Sequence, residues 1–110
     1  MITIEISRNY IGNIYKFRVE GHSGYDETGK DIVCAVVSTA TQSVVLGLSE
    51  ILGVRLNLTI DEGMLECELP EIFDENILDK SNILLETMLI TLRQAVSEYP
   101  DYVKLIEVEE

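Results

Sequence analysis

The sequence predicts an α+β fold in which an antiparallel or mixed β-sheet packs against two main helices, in the order ββαββαβ. Three observations lead to this prediction. Short segments alternate apolar and polar residues, two longer segments repeat apolar residues every three or four positions, and turn residues separate them. A length of 110 residues is that of one domain, and 46% apolar residues suit a globular core. We therefore expect a single domain over residues 1–110.

The first half of the chain is predicted to form a hairpin followed by a long helix. Residues 2–6 and 14–20 alternate apolar and polar side chains, which is typical of two half-buried strands. Residues 31–52 carry an apolar stripe at helical spacing, which predicts a helix. Asp31 suits the N-cap of this helix, and Gly53 suits its C-terminal stop.

The second half is predicted to form another hairpin, a second helix and one further strand. Residues 54–60 and 65–69 alternate again, and the Asp-Glu-Gly turn at 61–63 joins them. Residues 77–98 form a second amphipathic pattern, and 103–108 predict a short last strand. The order with two antiparallel hairpins therefore predicts a sheet with the helices packed against it.

The charge of the chain excludes some partners and favours others. Twenty acidic residues against eight basic ones give a net charge of −12, which repels nucleic acid and anionic membranes. The charge either serves solubility alone or attracts a basic protein partner. We expect neither a signal peptide nor a membrane-spanning segment, and hence a cytoplasmic protein. Two distant cysteines and one histidine cannot form the usual zinc site, so no metal or cofactor is predicted.

Cys34 is the first candidate for chemistry. It lies at the edge of the apolar stripe of the first predicted helix. With Asp31 as N-cap, Cys34 would be the third helical residue, where unpaired N–H groups and the helix dipole stabilise a thiolate. The alternative is a small apolar residue of the core. Cys67, which alternates with Leu65 and Leu69, is predicted to be such a core residue.

His22 is the second candidate, because it is the only histidine of the chain. It lies in a polar segment, residues 21–30, that contains three glycines and leads to the helix of Cys34. Such a histidine can take the proton of a thiol and deliver one to a leaving amine. The alternative is a surface histidine beside a turn. Asp31 is a possible orienting residue for His22, although this role conflicts with capping.

Residues 24–30 also contain most of a phosphate-binding loop, G-x-x-x-x-G-K. The next residue is Asp31, where Mg²⁺ binding needs Ser or Thr. Asp26 and Glu27 would add negative charge inside a phosphate cradle. We therefore do not expect a nucleotide site.

The segments Gly21-His22-Ser23-Gly24-Tyr25 and Gly29-Lys30-Asp31-Ile32-Val33-Cys34-Ala35 closely resemble the bacterial ribosomal-processing cysteine protease family, Prp. The similarity extends over essentially the whole chain. It implies that Cys34 is the catalytic nucleophile and His22 the general base and acid. It also implies a substrate loop made by Gly21, Ser23, Gly24, Tyr25, Gly29 and Lys30.

The resemblance further implies a cytoplasmic homodimer that acts as a cysteine endopeptidase. Its substrate would be a basic protein of the large ribosomal subunit, L-twenty-seven, from which it would remove an N-terminal extension during ribosome maturation. A non-catalytic ribosome-assembly or protein-binding module is the alternative. A redox sensor is disfavoured, because no plausible resolving cysteine accompanies Cys34.

Overall fold

A computed structural model describes the backbone of residues 1–21 and 28–110, with side chains described for 1–21 and 32–110. This part of the chain forms five strands and two α-helices in the predicted order ββαββαβ. The strands are β1 (Ile2–Arg8), β2 (Ile14–Glu20), β3 (Asn57–Asp61), β4 (Met64–Glu68) and β5 (Val103–Glu109), and the helices are α1 (Thr28–Leu46) and α2 (Glu75–Glu98). The predicted fold class is confirmed.

The five strands form one mixed sheet in the order β3-β4-β2-β1-β5. The two hairpins are antiparallel, and β4 joins them by pairing with β2. Strand β5 pairs with β1 in parallel, with Ile4 opposite Leu105, because the chain crosses back over the sheet through α2. This crossover makes the sheet mixed and leaves β3 and β5 as its edges.

Both helices cover the same face of the sheet. Alternation in β1 and β2 directs Ile4, Ile6 and Phe17 to this face, where each is 0% exposed. Residues of the helices complete the core, among them Val33, Val37, Leu48, Leu85, Leu89 and Leu92. On the opposite face, Thr3 and Glu5 remain partly exposed. The molecule therefore has two layers, with its core between the helices and one face of the sheet.

The first helix begins earlier than predicted. It starts at Thr28, so Asp31 lies within its first turn, and the prediction of Asp31 as the N-cap is wrong. A helix tolerates an acidic residue in its first turn, because the positive end of the helix dipole stabilises it there. The same start makes Gly29 and Lys30 helical, although they were predicted to belong to the loop.

The prediction that Gly53 terminates this helical segment is confirmed. A π-helical turn, Gly47–Ile51, follows α1, and Gly53 then adopts a φ of +67°. Few residues other than glycine adopt this left-handed conformation without strain. The N–H of Val54 donates to the carbonyl of Leu48 at 2.8 Å, so it is bonded to the helix end. Strand β3 consequently begins at Asn57 and not at the predicted residue 54.

One segment bears on our expectation about membranes. Ile32–Ile51 spans 20 residues with a mean hydropathy of 1.8, which is long and apolar enough to cross a bilayer by length and composition alone. The core helix of a globular domain can meet the same criterion. Val33, Val37 and Leu48 indeed lie in the core, at 0–1% exposure. Only 33% of the segment is buried, however, so much of its apolar surface lies outside the core.

Candidate active site

Cys34 lies beside a cavity of about 230 Å³ between α1 and the tip of the β3–β4 hairpin. Its side chain is half-buried and packs against the edge of the core. The cavity is lined by Ile2, Val19, Gly21, Cys34, Val37, Ser38, Thr41, Gln42, Ile60, Asp61, Gly63, Met64 and Leu65. The thiol is thus positioned on the wall of a cleft whose described lining is mostly apolar.

The position of Cys34 along α1 differs from the prediction. Because α1 begins at Thr28, Cys34 is its seventh residue and lies in the second turn. Electrostatic stabilisation by a helix dipole decreases beyond the first turn. Cys34 therefore does not occupy the first-turn position that the prediction gave it.

Gly21 fixes the point from which the chain continues towards His22. Its N–H donates to the carbonyl of Gly63 in the β3–β4 turn at 2.9 Å. Its φ is +125°, and a Cβ atom at this position would clash with the carbonyl oxygen of Met1. A residue with a side chain would therefore be strained and would also lack space. Glycine is required here, at the wall of the cavity that Cys34 also lines.

Several predicted site residues belong to the segment between Gly21 and Ile32, which the structure describes only in part. His22, Ser23, Gly24 and Tyr25 lie outside the described residues, as does the side chain of Asp31. The pairing of His22 with Cys34 and the orienting role of Asp31 stay predictions. Within the described residues, no three His, Cys, Asp or Glu side chains come together as metal ligands.

Cys67 provides a contrast to Cys34 within the same chain. It is 0% exposed on β4, opposite Phe17 of β2, as predicted for a core residue. Burial raises the pKa of the Cys67 thiol to about 12, because the apolar surroundings disfavour the thiolate. Cys67 is therefore neither accessible nor ionised near neutral pH, and it cannot serve as the nucleophile.

The sequence did not identify the part of the site that the second hairpin contributes. Ile60, Asp61, Gly63 and Met64 line the cavity from the β3–β4 tip. The sequence feature closest to them is the Asp-Glu-Gly turn at 61–63. It predicts a hairpin, but it does not predict which other part of the chain the hairpin lies beside. Pairing of β4 with β2 brings this tip beside Gly21, and such long-range pairing is not visible in local periodicity.

Thr41 lines the cleft, but its hydroxyl already makes a hydrogen bond within α1. Its side chain is 2% exposed, and its Oγ1 donates to the carbonyl of Val37 at 2.8 Å within α1. Ser38 is half-buried one turn after Cys34, and Gln42 is exposed two turns after it. Among the α1 side chains that the structure describes, from Ile32 onwards, Ser38 and Gln42 are therefore the polar ones that can contact a ligand in the cleft.

The two-layer α+β fold, with a half-buried thiol at a cleft and a glycine-rich segment leading to its helix, defines a candidate thiol hydrolase. The family model of the cysteine protease Prp matches residues 1–104. The chain therefore belongs to the Prp family of cysteine proteases, and the resemblance stated from the motifs is confirmed.

Named relatives and solved structures agree with this assignment. The ribosomal processing cysteine protease Prp of Bacillus subtilis is 29% identical over 107 residues, which cover 96% of both chains. The essential ribosomal processing protease Prp of S. aureus, solved with a substrate peptide, has a TM-score of 0.85 at 28% identity. That match covers 97% of this chain and 99% of the other. The same S. aureus protease with a covalently linked product peptide gives a TM-score of 0.83 at 27% identity, with the same coverage.

Proposed function

We propose that this cysteine protease removes the N-terminal extension of a large-subunit ribosomal protein, L-twenty-seven, with Cys34 as nucleophile and His22 as general base and acid. The observation that carries the proposal is the difference between its two thiols. Cys34 lines an open cleft, whereas Cys67 is 0% exposed. The relatives named ribosomal processing cysteine proteases support the class of substrate.

The proposed reaction is acyl transfer in two steps. His22 takes the proton of the Cys34 thiol, and the sulfur attacks the scissile carbonyl carbon to form a tetrahedral intermediate. The C–N bond then breaks as His22 protonates the departing amine, which leaves a thioester on Cys34. In the second step His22 takes a proton from water, and the resulting hydroxide attacks the thioester. The N-terminal peptide leaves with a carboxyl group, and the thiol is restored.

The cleft walls are suited to an apolar side chain of the substrate next to the scissile bond. Val19, Ile60 and Leu65 line it beside Cys34. Ile60 is 69% exposed, so a bound peptide could remove considerable apolar surface from water. Asp61 at the rim and the net charge of −12 would attract basic flanking residues. These features favour a peptide with an apolar segment and a basic flank.

The proposal includes a homodimer in the cytoplasm, as the family resemblance implies. The substrate is made in the cytoplasm and joins the ribosome there, so processing in this compartment is the simplest arrangement. The dimer is a separate part of the proposal.

A cleavage assay with matched cysteine variants tests the proposed function. The ribosomal protein with its extension is incubated with wild type, Cys34→Ser, Cys67→Ser or His22→Ala, and intact masses are measured. We expect one new N-terminus with wild type and with folded Cys67→Ser. We expect a loss of at least about 10³-fold in rate with Cys34→Ser, and of at least about 10²-fold with His22→Ala.

Two results would contradict the proposed function. Full cleavage by Cys34→Ser would exclude Cys34 as the nucleophile. Binding of the extended protein by wild type without any cleavage would instead favour the alternative, a non-catalytic ribosome-assembly or protein-binding module.

A further inference from the structure

Large apolar side chains are exposed at the end of the sheet that lies away from Cys34. Tyr10 is 87% exposed and Ile11 67%, both in the turn between β1 and β2, and Phe73 is 83% exposed just before α2. Tyr10 and Ile11 line the same groove as Ile72, which directly precedes Phe73. Single exposed apolar residues need no explanation, but apolar residues that share one concave surface indicate a binding site.

This groove has a volume of about 370 Å³ and lies between the β1–β2 turn, the end of β4 and the first turns of α2. Its walls include the ring of Tyr15 and the aliphatic side chains of Ile72 and Leu78. We use the name end groove for it. The groove offers apolar walls to a side chain of a bound polypeptide.

Hydrogen bonds hold the turn that presents Tyr10 and Ile11 to the end groove. The side chain of Asn9 accepts from the N–H groups of Ile11 and Asn13, at 3.1 and 3.0 Å. The N–H of Gly12 donates to the carbonyl of Asn9 at 2.9 Å. A turn that is fixed in this way loses little conformational entropy when a partner binds.

The rim of the end groove is acidic. Glu71 and Glu110 line it, and no Lys or Arg is among the described residues that do so. The guanidinium of Arg8, which donates to the Gly12 carbonyl of the turn, is paired with Glu86. The rim therefore favours a basic partner over an acidic one.

The acidic rim disfavours the other candidate occupants of the end groove. A second copy of the chain carries −12, and nucleic acid and anionic membranes are also negative. A basic polypeptide that carries an apolar side chain between Lys or Arg residues suits both the walls and the rim. The exposed ring of Tyr10 would also attract a guanidinium group that lies over its face.

The end groove and the Cys34 cleft lie at opposite ends of β2. Ile14, the first residue of this strand, lines the groove, and Gly21, which follows its last residue, lines the cleft. At about 3.3 Å per residue, the two sites are about 20–25 Å apart. An extended chain of about seven residues spans this distance. One substrate protein can therefore occupy both sites, whereas a short peptide around the scissile bond cannot.

We propose that the end groove is a docking site for a basic segment of the substrate protein, separate from the stretch that is cut at Cys34. The identity of this occupant rests on the proposed function, which supplies a basic ribosomal protein. An apolar side chain of the segment would enter beside Tyr10 and Ile72, and its Lys or Arg neighbours would pair with the acidic rim. Docking there would lower KM for the whole protein without changing the chemistry at Cys34.

Binding of the ribosomal protein without its extension tests the docking site directly, because this form has nothing left to cut. Its dissociation constant is measured by titration calorimetry for wild type, Tyr10→Ser and Glu71→Lys. We expect wild type to bind it, and each variant to bind it about tenfold more weakly. Tyr10 and Glu71 are both exposed, so both variants should keep the fold.

Matched variants separate docking from a general change of surface or charge. Tyr10→Phe keeps the aromatic ring and should bind like wild type. Asp101→Lys changes the net charge by the same amount as Glu71→Lys, at an exposed turn between α2 and β5. We expect it to weaken binding less than about twofold, because it lies outside the groove and salt screens its charge.

Steady-state kinetics link the docking site to cleavage. For the whole substrate with its extension, Tyr10→Ser should raise KM about tenfold and leave kcat within about twofold of wild type, as expected for a lost binding contact. For a short peptide that spans only the cleavage site, neither constant should change.

Several outcomes would overturn the docking site. Absence of binding by wild type, or equal binding by Tyr10→Ser and Glu71→Lys, would exclude the end groove as a site for this protein. An equal effect of Tyr10→Ser on the whole substrate and on the short peptide would show that docking is not what changed. Self-association of wild type that Tyr10→Ser abolishes in sedimentation equilibrium would assign the groove to a second copy. Absence of cleavage with binding intact would contradict the proposed function alone.

Discussion

The two cysteine side chains of this protein differ in burial, because they differ in their position relative to the core. Cys34 and Cys67 are chemically identical, yet one lines a cleft and the other is 0% exposed. Periodicity in the sequence predicted this difference correctly, because Cys67 alternates with Leu65 and Leu69, whereas Cys34 lies beside the apolar stripe of its helix. The cavity next to Cys34 was not predicted, since part of its wall comes from the β3–β4 hairpin, which is distant in sequence.

Gly21 leads to a prediction at the scale of one residue. Gly21→Ala should destabilise the fold by several kcal/mol, because a positive φ costs about 1–2 kcal/mol and the added Cβ would also clash with the Met1 carbonyl. Gly12 has a φ of +100° with no atom within 4 Å of its Cβ position. Gly12→Ala is therefore a matched control that measures conformational strain alone.

Urea unfolding of both variants separates the two effects. We expect the loss for Gly21→Ala to exceed that for Gly12→Ala by at least about 1 kcal/mol. Equal losses would show that the space beside Met1 can relax, and that Gly21 is needed for its conformation only.

Elements were predicted most reliably where apolar spacing is regular and least reliably at their ends. Strand β2 was predicted with its observed bounds, Ile14–Glu20. Helix α2 begins at Glu75, two residues before the predicted start, because Asp74 accepts hydrogen bonds from the N–H groups of Asn76 and Ile77. At α1 the capping preference of Asp31 was misleading, since Thr28 to Lys30 are already helical. Caps depend on local geometry that composition does not determine.

One of the ion pairs between α2 and the sheet, Arg8 with Glu86, gives the stability a pH dependence. Arg8 of β1 donates to both carboxylate oxygens of Glu86, at 2.6 and 3.0 Å. This hydrogen bonding holds the pKa of Glu86 below its ordinary value of 4.5. A lowered pKa in the folded state contributes stability above pH 4.5, and the contribution is lost as the pH falls through the folded pKa.

Glu86→Gln should therefore lower the free energy of unfolding by about 0.2–1 kcal/mol at pH 7, since the pair is partly exposed to solvent. The difference from wild type should shrink as the pH falls below about 4. Urea unfolding at several pH values measures it, and a double-mutant cycle with Arg8→Met isolates the pair. A constant difference from pH 7 to pH 3 would contradict this assignment.

At the scale of the whole molecule, charge and apolar surface are distributed unevenly. Twenty acidic residues against eight basic ones give the chain a strongly negative field, whereas residues 32–49 contain no charged side chain. The sequence showed both the total charge and the uncharged stretch of α1. It did not show which side of α1 remains outside the core, because that depends on how both helices lie on the sheet.

The field should make processing dependent on salt. Between about 50 and 500 mM NaCl we expect kcat/KM for the whole basic substrate to fall about tenfold, because salt screens the attraction that brings the two proteins together. A short peptide that spans the cleavage site without its basic flank serves as the control, and its kcat/KM should change much less. An unchanged or rising kcat/KM for the whole substrate would contradict electrostatic attraction.

The central claim is that Cys34 is the nucleophile, and its most direct test identifies the sulfur atom that attacks the substrate. A peptide with the sequence before the cleavage site, ending in a chloromethyl ketone, is incubated with wild type and with Cys34→Ser, and the adducts are mapped by mass spectrometry after digestion. We predict one adduct per chain, on Cys34, with parallel loss of cleavage, and none on Cys34→Ser. An adduct on Cys67, or full cleavage by a chain whose Cys34 is completely modified, would contradict the assignment of Cys34 as the nucleophile.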